Sequence, residues 1–292
     1  MTHIGIPGDR VLDVEVTGPE QGFAFVMQHG TPGSRVRFRA IEGAVHRRGL
    51  RMITYSRPGY GGSTRVAGRR VADVAEDLAD VLDHLGIERC VTLGWSGGGP
   101  HALAAAALLP GRVAAATAVA SIVPYGADGV DFLAGMGEDN IEEFGAALAG
   151  EATLAPALAE AAASMTAGGA ADLIEAMSGL LPEVDRAALD GEGGEDFAAQ
   201  LAEALRSGVD GWVDDDLAFV TPWGFDVEEI KVPTFLWQGE EDLMVPFAHG
   251  RWLADRVPGA VAHLLPGEGH LSVFTARIDE VLDELLEAGR AG

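Results

Sequence analysis

A chain of 292 residues with 48% apolar side chains is long and apolar enough to bury a substantial core, as one large α/β domain or two small ones. Its formal charge of −25 excludes a nucleic-acid partner, because a polyanion would be repelled and no basic stripe offsets the acid. No apolar run approaches membrane length, and the first residues carry neither a basic stretch nor an apolar export segment, so a cytoplasmic protein without a membrane partner is expected. The single cysteine, Cys90, has no partner for an intramolecular disulfide and reads as a small buried hydrophobe.

In chain order, Arg10-Val-Leu-Asp-Val-Glu-Val alternates as a half-buried strand and Phe23-Ala-Phe-Val-Met-Gln reads as a more buried one. A helical stretch over 36–48 leads to the strand Arg51-Met-Ile-Thr-Tyr. A helix over 71–85 follows, with Val71, Val74, Leu78, Val81 and Leu85 on one face and Gly86 as its stop. The strand Arg89-Cys-Val-Thr-Leu-Gly, an Ala-rich helix over 100–109 and a strand over 113–120 complete a β-α-β alternation. Such alternation predicts a mostly parallel sheet with helices on both faces.

From 124 to 222 the strand signal vanishes. Ala/Leu/Glu helical segments replace it, broken by Gly168-Gly-Ala and Asp190-Gly-Glu-Gly-Gly. Between Gly126 and Val220 there are 21 Asp and Glu against only Arg186 and Arg206, so most of the net charge lies in this inserted piece, and its acids read as a solvated surface. The α/β pattern resumes with the strand Pro233-Thr-Phe-Leu-Trp-Gln-Gly, a helix near 247–257, the strand Ala260-Val-Ala-His-Leu-Leu and an amphipathic helix over 272–288.

The chemistry concentrates at Gly94-Trp95-Ser96-Gly97-Gly98. This Gly-x-Ser-x-Gly match directly follows a strand and directly precedes a helix, which would put the Ser96 hydroxyl on a sharp turn above the sheet. Gly94 and Gly98 lack the Cβ atoms that would clash there, and the helix N-terminus offers backbone N–H groups. A serine hydroxyl needs a histidine base and a carboxylate to orient it. Asp242, in the loop after the strand ending at Gly239, and His270, in Pro266-Gly-Glu-Gly-His270, sit where strand ends would supply them; Asp128, Glu240 and Glu241 are alternatives for the acid. His3, His46, His84, His249 and His263 read as surface or packing residues, and His101 as a wall residue. Two N–H donors for a developing oxyanion, each worth about 3 kcal/mol in the barrier, are expected from Gly97 and from Thr31 in His29-Gly-Thr-Pro-Gly33. Pro32 has no N–H, the following proline holds Thr31 extended, and His29 orders the loop.

Together the segments His29-Gly-Thr-Pro-Gly, Arg57-Pro-Gly-Tyr-Gly-Gly-Ser63, Gly94-Trp-Ser-Gly-Gly, Gly239-Glu-Glu-Asp and Gly267-Glu-Gly-His resemble the α/β-hydrolase superfamily over roughly two thirds of the chain. The resemblance implies an α/β-hydrolase fold: a mostly parallel eight-stranded sheet formed by 1–123 and 223–292, with 124–222 as a helical cap after the sixth strand. The Arg57 segment would be structural. Phe132, Leu133, Met136, Met165, Met177, Trp212 and Phe219 are expected chiefly as the cap's own core, and as candidates to shape the acyl or alcohol pocket.

The first expectation is a Ser-His-Asp hydrolase acting through an acyl-enzyme on a small or medium carboxylic ester. The second is a proline-iminopeptidase-like aminopeptidase, since that family's His-Gly-Gly-Pro-Gly loop is similar to residues 29–33, and under this reading the acidic cap would hold a substrate's free ammonium. That family, however, shows Gly-Gly-Ser-Trp-Gly at the elbow, whereas here Trp95 precedes the serine and Gly97 follows it. A carbon–carbon bond hydrolase, a perhydrolase and a binding protein on the same fold share the constellation. Dehalogenase and epoxide-hydrolase mechanisms need an aspartate at position 96. No zinc-like Cys/His spacing occurs and Gly97-Gly-Gly-Pro is no phosphate loop, so no metal or cofactor is expected. A small-molecule substrate is the expected partner, with monomer and homodimer both open.

Overall fold

In the computed structural model, which describes residues 2–291, eight strands form one sheet. They are β1 (Thr2–Ile6), β2 (Arg10–Thr17), β3 (Ala24–Gln28), β4 (Arg51–Tyr55), β5 (Cys90–Trp95), β6 (Val113–Val119), β7 (Thr234–Gly239) and β8 (Val261–Leu265). Their spatial order is β1-β2-β4-β3-β5-β6-β7-β8. β2 pairs antiparallel with β1 and β4, and every pairing from β4 to β8 is parallel. The parallel strands β3, β5, β6 and β7 are buried at every position. This is why their sequences run as continuous apolar stretches, whereas β2 alternates.

Helices cover both faces. On one side α2 (Val74–His84), α3 (Gly99–Leu108) and α10 (Phe247–Arg256) bury Leu78, Val81, Leu103 and Leu253. On the other, α1 (Arg39–Arg47), α11 (Ser272–Thr275) and α12 (Ile278–Ala291) bury Ile41, Val45, Phe274, Val281 and Leu285. Each such side chain contributes about 2 kcal/mol when fully withdrawn from water. Cys90 lies inside the first of these cores, and burial pushes its thiol pKa up to about 12.

Between β6 and β7 the chain forms six helices: α4 (Glu138–Ala149), α5 (Glu151–Met165), α6 (Ala170–Ala176), α7 (Glu183–Ala188), α8 (Glu192–Leu205) and α9 (Asp210–Phe219). Leu154, Leu158, Ala204, Trp212 and Val213 gather around Tyr60, which reaches up from the core.

Three details depart from the sequence reading. β1 was not anticipated; only Ile4 and Ile6 of its five residues are buried, too few for a pattern, and it forms by pairing with β2. Gly193 and Gly194 lie in the first turn of α8 instead of breaking it, where a Cβ would press on the Ala188 and Leu189 carbonyls. The C-terminal segment is two helices, α11 and α12, instead of one. Among the described residues no helix is long and apolar enough to cross a membrane, and no group of three or more His, Cys, Asp or Glu could hold a metal ion.

Candidate active site

β5 lies between β3 and β6, so its C-terminal end opens at the middle of the sheet, where open α/β sheets bind ligands. There the chain turns sharply into a short 3-10 turn and α3. Ser96 is at the corner, half-buried, with φ at 56°. That left-handed backbone costs a non-glycine residue about 1–3 kcal/mol and persists only where the surroundings enforce it. The enforcement is close packing: a Cβ on Gly94 would strike the Gly98 carbonyl, and one on Gly98 would strike that of Gln28.

Asp242 follows β7 and is 3% exposed. Its Oδ1 accepts the Met244 and Val245 N–H groups at 2.9 and 2.8 Å, and its Oδ2 accepts the Gln238 amide at 2.9 Å. That same Oδ2 stands 2.9 Å from Nδ1 of His270, which is equally buried in the turn after β8. A carboxylate only accepts, so Nδ1 carries the proton and Nε2 is left as a lone-pair donor. Burial works against the imidazolium, yet the charge and hydrogen bond of Asp242, together with Asp185, outweigh it and hold the His270 pKa above its ordinary value. Ser96 and His270 line one small cavity of about 50 Å³. Glu240, Glu241 and Asp128 are exposed.

Trp95, the departure noted at the elbow, stacks on Phe274 at a centroid distance of 5.5 Å and donates its indole N–H to the His270 carbonyl at 3.1 Å. It therefore ties the serine strand to the histidine turn.

Thr31 lies beside Gly97: a Cβ on Gly97 would run into the Thr31 hydroxyl. The Thr31–Pro32 peptide bond is cis. The loop beneath is held by Arg57, fully buried, whose guanidinium donates to the His29 carbonyl, to the Gly30 carbonyl at 2.9 Å and to Thr31 Oγ1 at 3.0 Å. His29 accepts the Arg57 N–H on Nε2 at 3.0 Å and donates from Nδ1 to the Gly30 carbonyl at 2.7 Å. Burial and then Arg57 hold its pKa well below the ordinary value, so it is a neutral hydrogen-bonding spacer.

Two buried aspartates of the inserted helices complete the arrangement, and sequence reasoning missed both. Asp215 of α9 accepts from Thr31 Oγ1 at 2.7 Å, from Arg57 and Arg69 at 2.6 Å each, and from the Tyr60 hydroxyl at 2.9 Å. Burial resists its ionisation, but Arg57 and Arg69 prevail and keep its carboxyl well below the usual range. His101 is packed against this cluster, 3.5 Å from Asp215, and burial with the Arg57 charge brings its pKa down to about 4.

Asp185 of α7 accepts the backbone N–H groups of His270, Leu271 and Ser272 at 2.7, 2.9 and 2.9 Å. It fits because Gly269 has no Cβ, which would lie 2.5 Å from the carboxylate. The acids of this segment are thus not simply a solvated surface: Asp185, Asp196, Asp214, Asp215 and Asp216 are all buried. A signal was present in Trp212-Val-Asp-Asp-Asp-Leu-Ala-Phe219, where acids are flanked on both sides by core-type residues.

Above Ser96 and Gly97 lies a larger cavity of about 360 Å³. Of the apolar residues singled out in the inserted segment, Met165, Met177, Trp212 and Phe219 line it. Phe132, Leu133 and Met136 do not; Phe132 packs edge-on to Phe144 and against His249, inside the core.

Residues 24–276 match the family model for the α/β hydrolase fold. Over 270 residues the chain is 28% identical to RutD of Variovorax paradoxus (strain S110), provisionally named a carbamate hydrolase, covering 90% of this chain and 91% of that protein. Among solved structures, a carboxylesterase of the thaumarchaeon Nitrososphaera gargenis superposes with a TM-score of 0.72 at 18% identity, covering 100% of both chains. An esterase of Thermogutta terrifontis gives 0.70 at 21% identity, covering 99% of this chain and 98% of that one. The chain belongs to the α/β hydrolase fold family.

Proposed function

We propose that this protein is a serine hydrolase that cleaves a small or medium carboxylic ester through an acyl-enzyme. The reading is carried by the buried Asp242–His270 contact of 2.9 Å, in a histidine that shares a cavity wall with a serine held in a left-handed turn. Ser96 Oγ attacks the ester carbonyl while His270 Nε2 takes its proton, and Asp242 steadies the imidazolium through Nδ1–H. The N–H groups of Gly97 and Thr31 receive the oxyanion. His270 then returns the proton to the departing alcohol as the C–O bond breaks. Water, deprotonated by the same imidazole, attacks the acyl-serine; the acid leaves and Ser96 regains its proton.

The two cavities divide the substrate. His270 lines only the small one, whose walls include Trp95, Phe197, Leu201 and Met244, and the group that hands a proton to the leaving alcohol must face it. The alcohol therefore occupies the small apolar pocket and the acyl group the larger cavity. Apolar acyl surface buried there contributes about 25 cal/mol per Å² to binding.

A fluorophosphonate probe tests the reading, because it phosphonylates only an activated serine. Labelling of the wild-type protein that disappears in Ser96→Ala is the expected result, with ester turnover falling by a factor on the order of 10⁴ or more. A folded wild-type protein that resists the probe would overturn the assignment.

A further inference from the structure

Among the residues lining the larger cavity are four carboxyl side chains, Asp139, Glu142, Glu143 and Asp216, and no Lys, Arg or His. Two of them form a pair. Glu143 of α4 accepts the Trp212 indole N–H at 2.8 Å and stands against Asp216 of α9. Asp216 is 1% exposed, and apart from the Glu143 carboxyl beside it no N–H or hydroxyl donor among the described residues reaches either of its carboxyl oxygens.

A buried carboxyl with no N–H, hydroxyl or cation beside it must either share a proton with its neighbour or meet a ligand, and its place on a cavity wall lets a ligand take over from the proton. Local cations do not supply one. On the same helix Asp214 takes Arg65, and Asp215 takes Arg57 and Arg69. Phe144, Trp212 and Phe219 share the cavity, and aromatic rings of this kind attract organic cations.

We propose that the Glu143–Asp216 pair receives a protonated amine carried by the acyl part of the substrate. The assignment to the acyl part rests on the ester-hydrolase reading; the cation site itself does not. Without ligand, burial raises both carboxyls above their usual range: at Asp216 the charge and hydrogen bond of Glu143 and the charge of Asp215 add to it against Arg69, and at Glu143 it prevails, with Asp139, over the hydrogen bonds with Asp216 and Trp212 that pull the other way. The pair then holds one proton between its two members. An ammonium group brings its own charge and donors, so its arrival releases that proton to solvent. A neutral acyl chain leaves the proton in place.

Calorimetry on Ser96→Ala at pH 7 separates binding from chemistry. Phenethylammonium is expected to bind at least about tenfold tighter than 2-phenylethanol, with an enthalpy that tracks the ionisation heat of the buffer because up to one proton is released. In Asp216→Asn and in Glu143→Gln on the same background the two probes should bind within about threefold of each other, and the buffer dependence should vanish. Equal binding of the two probes, or ammonium binding that neither substitution affects, overturns the proposal.

Turnover distinguishes this failure from failure of the ester reading. Methyl alaninate against methyl 2-methylpropanoate, and methyl 4-aminobutanoate against methyl pentanoate, differ only in an ammonium for a methyl group. Hydrolysis of the neutral members with no preference for either amine retains the serine hydrolase and removes the cation site. Ammonium binding with proton release, but no hydrolysis of any ester, does the reverse.

Discussion

The rim of the sheet and the inserted helices reach the same site by opposite means. At the rim, Ser96, Asp242 and His270 are placed locally, by strand ends and by turns whose glycines let backbones touch. The insertion works at a distance. Asp185 holds the His270 turn from 85 residues away in the chain, and Asp215 holds Thr31 from 184 residues away. The rim thus sets which groups face one another, and the insertion fixes how firmly the two segments of His270 and Thr31 are held. Removing an insertion contact should therefore damage stability and tuning without changing the identity of the chemistry.

The sharpest way to break the comparison is Asp215→Ala. It leaves Arg57 and Arg69 charged, buried and without their shared acceptor, a situation that costs about 3–5 kcal/mol. Denaturant unfolding should show that loss, and catalysis should fall further at equal folded fraction because Thr31 loses its 2.7 Å partner. A loss under about 1 kcal/mol would mean the core holds the Arg57 loop by itself.

Asp185 gives the next largest effect. Asp185→Ala strips three backbone N–H groups of their acceptor; with water admitted to the space the carboxylate leaves, the net loss should be about 1–3 kcal/mol, that of one buried group left unpaired. Asp185→Asn is the gentler test, because it keeps shape and removes charge. In the proposed mechanism protonated His270 cannot accept the serine proton, so kcat/KM should rise with pH through the histidine pKa, which stands above the ordinary value partly because of Asp185. Without that negative charge the imidazolium is less favoured and the acid limb of the profile should move to lower pH. An unshifted limb in a folded Asp185→Asn protein would reduce Asp185 to a structural peg.

How much was legible follows the same division. The parallel strands announce themselves because a strand buried on both faces must be apolar throughout, and Ser96, Asp242 and His270 lie at strand ends where short motifs record the turn geometry. β1 was invisible because pairing with β2, more than its own pattern, makes it a strand. Asp185 and Asp215 were invisible for a related reason. A buried aspartate and a solvated one are the same letter, and only the three-dimensional arrival of Arg57, Arg69 or the backbone of residues 270–272 tells them apart. The run Asp214-Asp-Asp216 makes the point within one helical turn. About 100° of rotation per residue sends the first to Arg65 at the periphery, the second into the Arg57–Arg69 cluster and the third to the cavity wall.

The smallest expected effect has the opposite sign, and it isolates the rim from the insertion. Ser96 is held at φ 56°, where a Cβ is unfavourable and glycine is not. Ser96→Gly and Ser96→Ala both remove the hydroxyl, but only glycine removes the Cβ, so Ser96→Gly should be more stable than Ser96→Ala by about 1 kcal/mol. For a chain of this size that difference is a rise of roughly 2 °C in Tm. Because the strain is enforced by Gly94 and Gly98 packing under the turn, the same increment should appear in an Asp185→Asn background. An increment that disappears there would show that the insertion, and not the rim, imposes the turn on Ser96, and would reverse the division of labour drawn between the two regions.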